Sequence, residues 1–418
     1  MSPAFRSLRV RNYRLFAGGQ VVSLTGTWAQ RIAQDWLVLD LSGNSGVALG
    51  VVTGLQFLPV LLLGLWGGVL ADRYDKRLLL VGVQVAMGLL ALALGLLDLS
   101  GAVQLWQVYA LSFALGIASA LDTPVRQSFV SELVGPDELP NAVSLNSATF
   151  NSARILGPAL AGVLITTVGT GPIFLGNAVS YVAVVAGLLA MHSDELRTSP
   201  PVRKAKGQVR EGLAYVRTRP DLLVPILLVA VIGTFGLNFQ ITMALVAKEV
   251  FGRGAGAFGL LSSMLAVGSL IGALASARRT GPPRVQRLLL SALAFGLLEV
   301  LVGLAPSYLL MCALLVPTGV AVLTFTTTAN TLLQLGSEPH VRGRVMALYI
   351  LVFVGGTPVG APLIGAVAEV LGPRSGMLLG GAVSAAAAVA GAAYLLRTRS
   401  LRLEPHLLRR RPHVHVRV

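Results

Sequence analysis

The sequence predicts an all-α membrane protein, with twelve transmembrane helices in two pseudo-symmetric halves of six. Three observations carry that prediction. Hydrophobic residues make up 54% of the 418-residue chain and charged residues 12%, about half the ~25% usual in soluble domains. A soluble core this apolar could not cover itself with polar surface. The length holds about twelve spans of ~20 residues with short loops. Second, a long apolar run stops at Asp72 and another starts at Leu78, with Asp72, Arg73, Asp75, Lys76 and Arg77 packed between them. A turn that short joins two membrane helices on one side of the bilayer. Third, the chain repeats itself. Gly68-Val69-Leu70-Ala71 and Gly272-Ala273-Leu274-Ala275 are 204 positions apart, as are Pro158 and Pro362. Glu132 and Glu338 fit the same offset approximately, while Ser276 stands where a second Asp72 would be.

The elements follow in order. Arg6, Arg9, Arg11 and Arg14 precede a run broken by Gln20, Ser23, Thr27 and Gln30. Without a clean small-residue cleavage site this reads as a retained first helix, near 13–40, rather than a signal peptide. Further spans are expected near 46–70, 78–98 and 104–122, the last ended by Asp122-Thr123-Pro124. The fifth runs near 139–168, with Pro136 and Pro140 at its entry, and the sixth from Gly171-Pro172 to Met191. Residues 193–220 are too polar to span: Pro200-Pro201, then Arg203, Lys204, Lys206 and Arg210, with a short surface helix over 212–216. A solvated linker is the simplest reading. Spans resume near 221–248, 255–277, 285–305, 308–331, 342–371 and 374–396. The organisation is thus a bundle over 1–192, a linker over 193–220, a second bundle over 221–396 and a basic tail over 397–418.

Net charge is +15. In a soluble protein that would suggest nucleic acid; here it reads as positive-inside topology. With both termini cytoplasmic, only Lys248, Arg253 and Arg374 fall in outer loops, and Arg31 and Arg154 sit within spans. The expected location is therefore a bacterial inner membrane, with lipid and a small molecule as partners and no nucleic acid. Cys312 is the single cysteine, which excludes an internal disulfide and a multi-cysteine metal site. His192 and His340 flank helices and His406, His413 and His415 lie in the tail, so no metal or other cofactor is expected.

The charged turn resembles the loop between helices two and three of the major facilitator superfamily, G-x-L-x-D-R-x-G-R-[RK]. Gly68, Leu70, Asp72, Arg73 and Arg77 match, Lys76 is conservative, and Asp75 replaces a glycine. Asp tolerates left-handed turn geometry better than most residues. The form D-R-Y-D-K-R is similar to that of the siderophore (enterobactin-type) and macrolide exporters, and so is the first-helix segment Gly26 to Leu39. The resemblance covers about residues 10–396 and implies the two-bundle fold with one linker. It also implies that Asp72 latches onto the start of the eleventh helix, near Arg342 to Arg344. The fifth helix is similar to the antiporter pattern G-x-x-x-G-P-x-x-x-G: Gly157, Pro158 and Gly162 match and Ala153 replaces the first glycine. With Asn151 and Arg154 it would hinge or seal the halves, or serve simply as a packing motif. The arginine that drug–proton antiporters carry four residues before a glycine in helix four is replaced by Ser112, ahead of Gly116.

Coupling must then use Arg31, Asp35, Asp122, Arg154 or Glu299. Gln20, Ser23, Thr27, Arg31 and Gln34 recur at intervals of three and four and share a face. Asp35 is one turn from Arg31 and can pair with it. A charge in a span faces a cavity or a partner, and a carboxylate desolvated as its cation turns away takes up a proton. A fixed ion pair is the alternative. Asp122 is expected at a wet helix end, and Glu299 lies mid-span in the ninth helix, as a proton site or an interfacial carboxyl. Asn151, Asn238, Gln240 and Asn330, with Thr324, Thr326, Thr327, Thr328 and Gln334, could line a substrate cavity. Threonine hydroxyls also satisfy carbonyls of their own helix. Trp28, Trp36, Phe57 and Phe239 would give it apolar walls, or belong to the core.

These readings point to a monomeric, proton-driven exporter of an amphipathic small molecule such as a drug, antibiotic or siderophore. A nutrient importer is the alternative within the class. An enzyme would need a catalytic cluster at a span end, and no His, Cys or acidic cluster is present in the sequence.

Overall fold

The computed structural model describes residues 3–197, 208–278 and 284–398. The basic tail over 399–418 and the linker residues 198–207 lie outside them. The described residues are almost wholly helical. The helices are α1 (Arg11–Leu41), α2 (Gly46–Arg73), α3 (Lys76–Leu99), α4 (Leu105–Leu133), α5 (Leu139–Val168) and α6 (Gly171–Leu189). The surface helix α7 (Gln208–Arg217) follows, then α8 (Pro220–Phe235) and α9 (Phe239–Leu245), and then α10 (Ala255–Ala277), α11 (Val285–Leu304) and α12 (Tyr308–Gly336). The last are α13 (Arg342–Gly355), α14 (Thr357–Leu371) and α15 (Ser375–Arg397). Among the described residues, eleven segments are long and apolar enough to cross a membrane. α1, at 31 residues, is long enough, but its polar face makes it too hydrophilic to count among them.

Three boundaries differ from expectation. Pro124 does not end the fourth helix: α4 continues to Leu133, because a membrane helix tolerates one lost donor when its neighbours hold it. The seventh span breaks at 236–238. There the Asn238 amide donates to the Thr234 carbonyl at 2.8 Å and the Phe235 carbonyl at 3.3 Å, so a side chain competes with the helical ladder. The eleventh span is interrupted at Gly356, just before Pro358. The linker helix is longer than expected, running over Gln208–Arg217.

Each half packs mainly on itself, α1 on α5 and α6, α2 on α4, and α3 on α6, then α10 on α12, and α11 on α12 and α15. Two pairs make most of the contact between the halves, α2 with α14 and α5 with α10. Both approach through small residues, as helices in lipid do when no hydrophobic force drives them together. A Cβ on Gly365 would stand 2.1 Å from the Gly46 carbonyl oxygen, and one on Gly259 would stand 2.3 Å from that of Pro158. Neither position admits a side chain. These contacts lie toward the face bearing the 42–45, 169–170, 251–254 and 372–374 turns, hereafter the closed face.

Candidate functional site

Three polar residues of α1, Thr27, Gln30 and Gln34, find partners on other helices of the same half. The Thr27 hydroxyl is 3.1 Å from that of Tyr181. The Asn177 amide donates to Gln30 Oε1 at 2.6 Å, and Gln34 Nε2 donates to the Ser112 hydroxyl at 3.0 Å. Ser112, which replaces the antiporter arginine, thus anchors α1 instead. Between these pairs lies a cavity of about 40 Å³ edged by Arg31, Gln34, Gln56, Phe57 and Tyr181, enough for a few waters.

Arg31 and Asp35 do not form the expected ion pair: no oxygen of Asp35 lies within 4.0 Å of the guanidinium. The Arg31 guanidinium sits 4.9 Å over the Trp28 ring and 6.0 Å from that of Phe57, an attraction to the ring faces. Asp35 is 6% exposed, and its Oδ2 is buried with no hydrogen-bond partner among the described residues. Their spacing of one turn still leaves the two charges close enough to act on each other.

Arg154 reaches across the halves, donating at 2.7 Å to the Ser269 hydroxyl of α10. Beside it the Ser263 hydroxyl donates at 2.9 Å to the carbonyl of Ile155, the next residue of α5. Gly157 packs on the Trp28 side chain of α1, and Gly162 meets Gly256. The α5 motif is therefore a three-way junction of α1, α5 and α10. The closed face is held further by Glu369, whose Oε2 accepts from the Ser45 hydroxyl at 2.6 Å and the Val47 amide at 3.0 Å. Lys248 pairs there with Asp40 and lies 4.9 Å over Trp36.

In the charged turn, the side chains of Gly68 and Asp72 lie outside the described residues. Asp75 needs no left-handed backbone: at φ −58° it caps α3, its Oδ1 accepting from the Leu78 amide at 2.9 Å. Lys76 pairs with buried Glu132. Arg77 donates to the Leu188 and Leu189 carbonyls at 2.7 and 2.9 Å, fixing the turn to the end of α6, and Arg73 is exposed. Asp122 is not at a wet helix end. It is 7% exposed, accepting from Gln84 at 2.7 Å and from Arg126 at 3.0 Å.

The expected cavity residues of both halves disperse. Asn151 and Asn238 spend their amide donors on their own helices, at Ser147 and Thr234, and Asn330 interacts with Tyr349. Thr326, Thr327 and Thr328 donate to Val322, Leu323 and Thr324 carbonyls of α12. Gln240 is partly exposed on α9. Glu299 is 3% exposed, its Oε2 without a hydrogen-bond partner among the described residues. It faces Gly236 at the α8–α9 break and Gly380 of α15. Among the described residues no group of three His, Cys, Asp or Glu could hold a metal.

Sequence reasoning passed over Tyr181, Asn177, Ser269 and Glu369. Asn177 and Tyr181 were findable as polar residues one turn apart in an otherwise apolar α6. Ser269 and Glu369 matter only through partners in the other half.

The comparisons agree with this architecture. A family model described as transmembrane secretion effector matches residues 2–418. The chain is 26% identical over 375 residues to the staphyloferrin A transporter of Staphylococcus aureus (strain NCTC 8325 / PS 47), covering 86% of this chain and 90% of that protein. It is 23% identical over 390 residues to macrolide efflux protein A of Streptococcus pyogenes, covering 90% and 94%. The fold matches a crystal structure of a bacterial homologue of the human lysosomal transporter Spinster, inward-facing and unoccupied. The TM-score there is 0.70 at 18% identity, over 97% of this chain and 100% of that one. A polytopic helical bundle with a polar centre, matched along its length by that family model, is a membrane transporter and not an enzyme: the chain belongs to the transmembrane secretion effector family of the major facilitator superfamily.

Proposed function

We propose that this transporter is a proton-driven exporter of an amphipathic small molecule, working by alternating access as a monomer in the bacterial inner membrane. The bundles over 1–192 and 221–396 rock about the α5–α10 and α2–α14 contacts, with the linker, the tail and both termini in the cytoplasm. The observation that carries the reading is the asymmetry of contact between halves. They meet through Ser45–Glu369, Asp40–Lys248 and Pro158–Gly259 at the closed face. At the other face, Lys76 and Arg77 bind within their own half. Positive-inside charge makes the closed face the outer one, so this is an inward-facing state, ready to load from the cytoplasm. Names of relatives that denote macrolide efflux and siderophore transport support export. Asp35 is proposed as the coupling carboxylate, with Arg31 alternately near and far. Gly68, Asp72, Arg73 and Arg77 are proposed as the switch turn, and Arg154, Gly157, Pro158 and Gly162 as the hinge. Expression in an efflux-deficient host, followed by a compound-sensitivity panel, tests the reading. Raised tolerance that collapses with a protonophore is expected, and accumulation of a compound inside the cell would reverse the direction.

A further inference from the structure

We infer that Arg31, on the polar face of α1, binds the anionic end of the substrate, with Trp28 and Phe150 as the surface for an apolar body. The inference rests on the transporter reading above and adds the substrate class to it.

Arg31 stands apart from the other arginines that are at least partly buried. Arg126 has Asp122 at 3.0 Å, Arg77 has two carbonyls, and Arg219 has Asp221 at 2.7 Å. Arg31 makes no hydrogen bond or ion pair among the described residues, although a guanidinium carries five donors. Its only contacts of a specific kind are to the rings of Trp28 and Phe57, and it borders an empty cavity. A cation in a membrane span without an acceptor is costly unless something supplies one. The planar fork of arginine fits a carboxylate through two parallel bonds.

Charge balance points the same way. Asp35 is the acid closest in sequence, a turn from Arg31. With Asp35 protonated, the guanidinium leaves net positive charge at this site. A cationic compound would meet repulsion there, and a monoanion would neutralise the site. The surface for its body is continuous: Arg31 lies over Trp28, and Trp28 meets Phe150 edge-on at 5.9 Å. The ligand chemistry is thus a carboxylate or comparable anion on an aromatic or aliphatic body.

The test uses the full-length protein in lipid nanodiscs, titrated calorimetrically with 1-naphthoate and its uncharged isostere 1-naphthamide. Naphthoate is expected to bind at least about tenfold more tightly, the scale of a charge-assisted hydrogen-bonded contact. Arg31→Gln should erase that preference, with an unchanged circular-dichroism spectrum and thermal midpoint showing that the fold is intact. Arg31→Lys should retain part of the preference. Equal binding of the two compounds, no binding of naphthoate, or an undiminished preference in Arg31→Gln would overturn the inference. Export is read separately in proteoliposomes. Efflux of neutral or cationic compounds with no anion preference sinks the substrate class and keeps the exporter. Anion preference in nanodiscs without outward transport keeps the site and sinks the exporter.

Discussion

The Ser45 hydroxyl donates a 2.6 Å hydrogen bond to the Glu369 carboxylate, linking the first turn of α2 to the last turn of α14 across 324 positions. The same carboxylate oxygen accepts the Val47 amide at 3.0 Å, so an acid of one half caps a helix of the other. Helix N-termini favour negative charge. This places the strongest polar clasp between halves at the closed face.

Removing that clasp should release the closed face. Glu369→Gln loses the charge-assisted part of two hydrogen bonds, a loss of about 1–3 kcal/mol, and shifts the balance toward the state open on that side by about tenfold. Spin labels on the 42–45 and 372–374 turns, read as a distance distribution, would show a longer population. An unchanged distribution would remove Glu369 from the gate.

Gly365 should tolerate no side chain. A Cβ there would meet the Gly46 carbonyl at 2.1 Å, and overpacking of this kind costs about 1–3 kcal/mol. Gly365→Val should therefore disfavour the same closure as Glu369→Gln while leaving the charge pattern alone. Normal transport and normal label distances in Gly365→Val would argue that α2 and α14 need not meet.

Asp35→Asn should abolish gradient-driven export and leave substrate binding partly intact. The amide keeps the shape and loses the titration. Proton-driven transport in proteoliposomes, with binding assayed apart, separates the outcomes. Full active transport excludes Asp35 from coupling. Joint loss of binding and transport would instead assign Asp35 and Arg31 a common role in holding substrate.

Glu299→Gln should change transport less than about twofold. The carboxyl is buried against Gly236 and Gly380, among helices of the second half. A neutral isostere there leaves the packing in place, and removing a buried charge without a partner is neutral or stabilising. A loss of coupling comparable to that of Asp35→Asn would make Glu299 a second proton site.

Asp72→Asn should impair transport without abolishing membrane insertion. The residue lies in the turn with Arg73, Lys76 and Arg77, which the structure ties to its own half through Glu132 and the end of α6. The expected latch runs from Asp72 to the start of α13, near Arg342 to Arg344. Normal efflux by a well-expressed variant would count against the latch.

Apolar composition, the charged turn and the repeat determined the fold class, because a bilayer admits few ways to satisfy a backbone and each span announces itself by length. The periodicity of Gln20, Thr27, Arg31 and Gln34 likewise determined one polar face on α1, since a helix converts spacing into direction. Tertiary structure decided what those residues touch. Arg31 lies one turn from Asp35, which suggests a pair, yet the guanidinium rests on Trp28 because α1 and α2 bring two aromatic rings beneath it. Asp122 was legible as a polar helix end and is instead a buried acceptor, because α4 runs on past Pro124 and α3 supplies Gln84. Arg154–Ser269 and Ser45–Glu369 could not be read at all. Partners more than a hundred positions apart meet only once two six-helix bundles have docked, and that docking is set by the close approach of small residues, which leaves no periodic signal of its own.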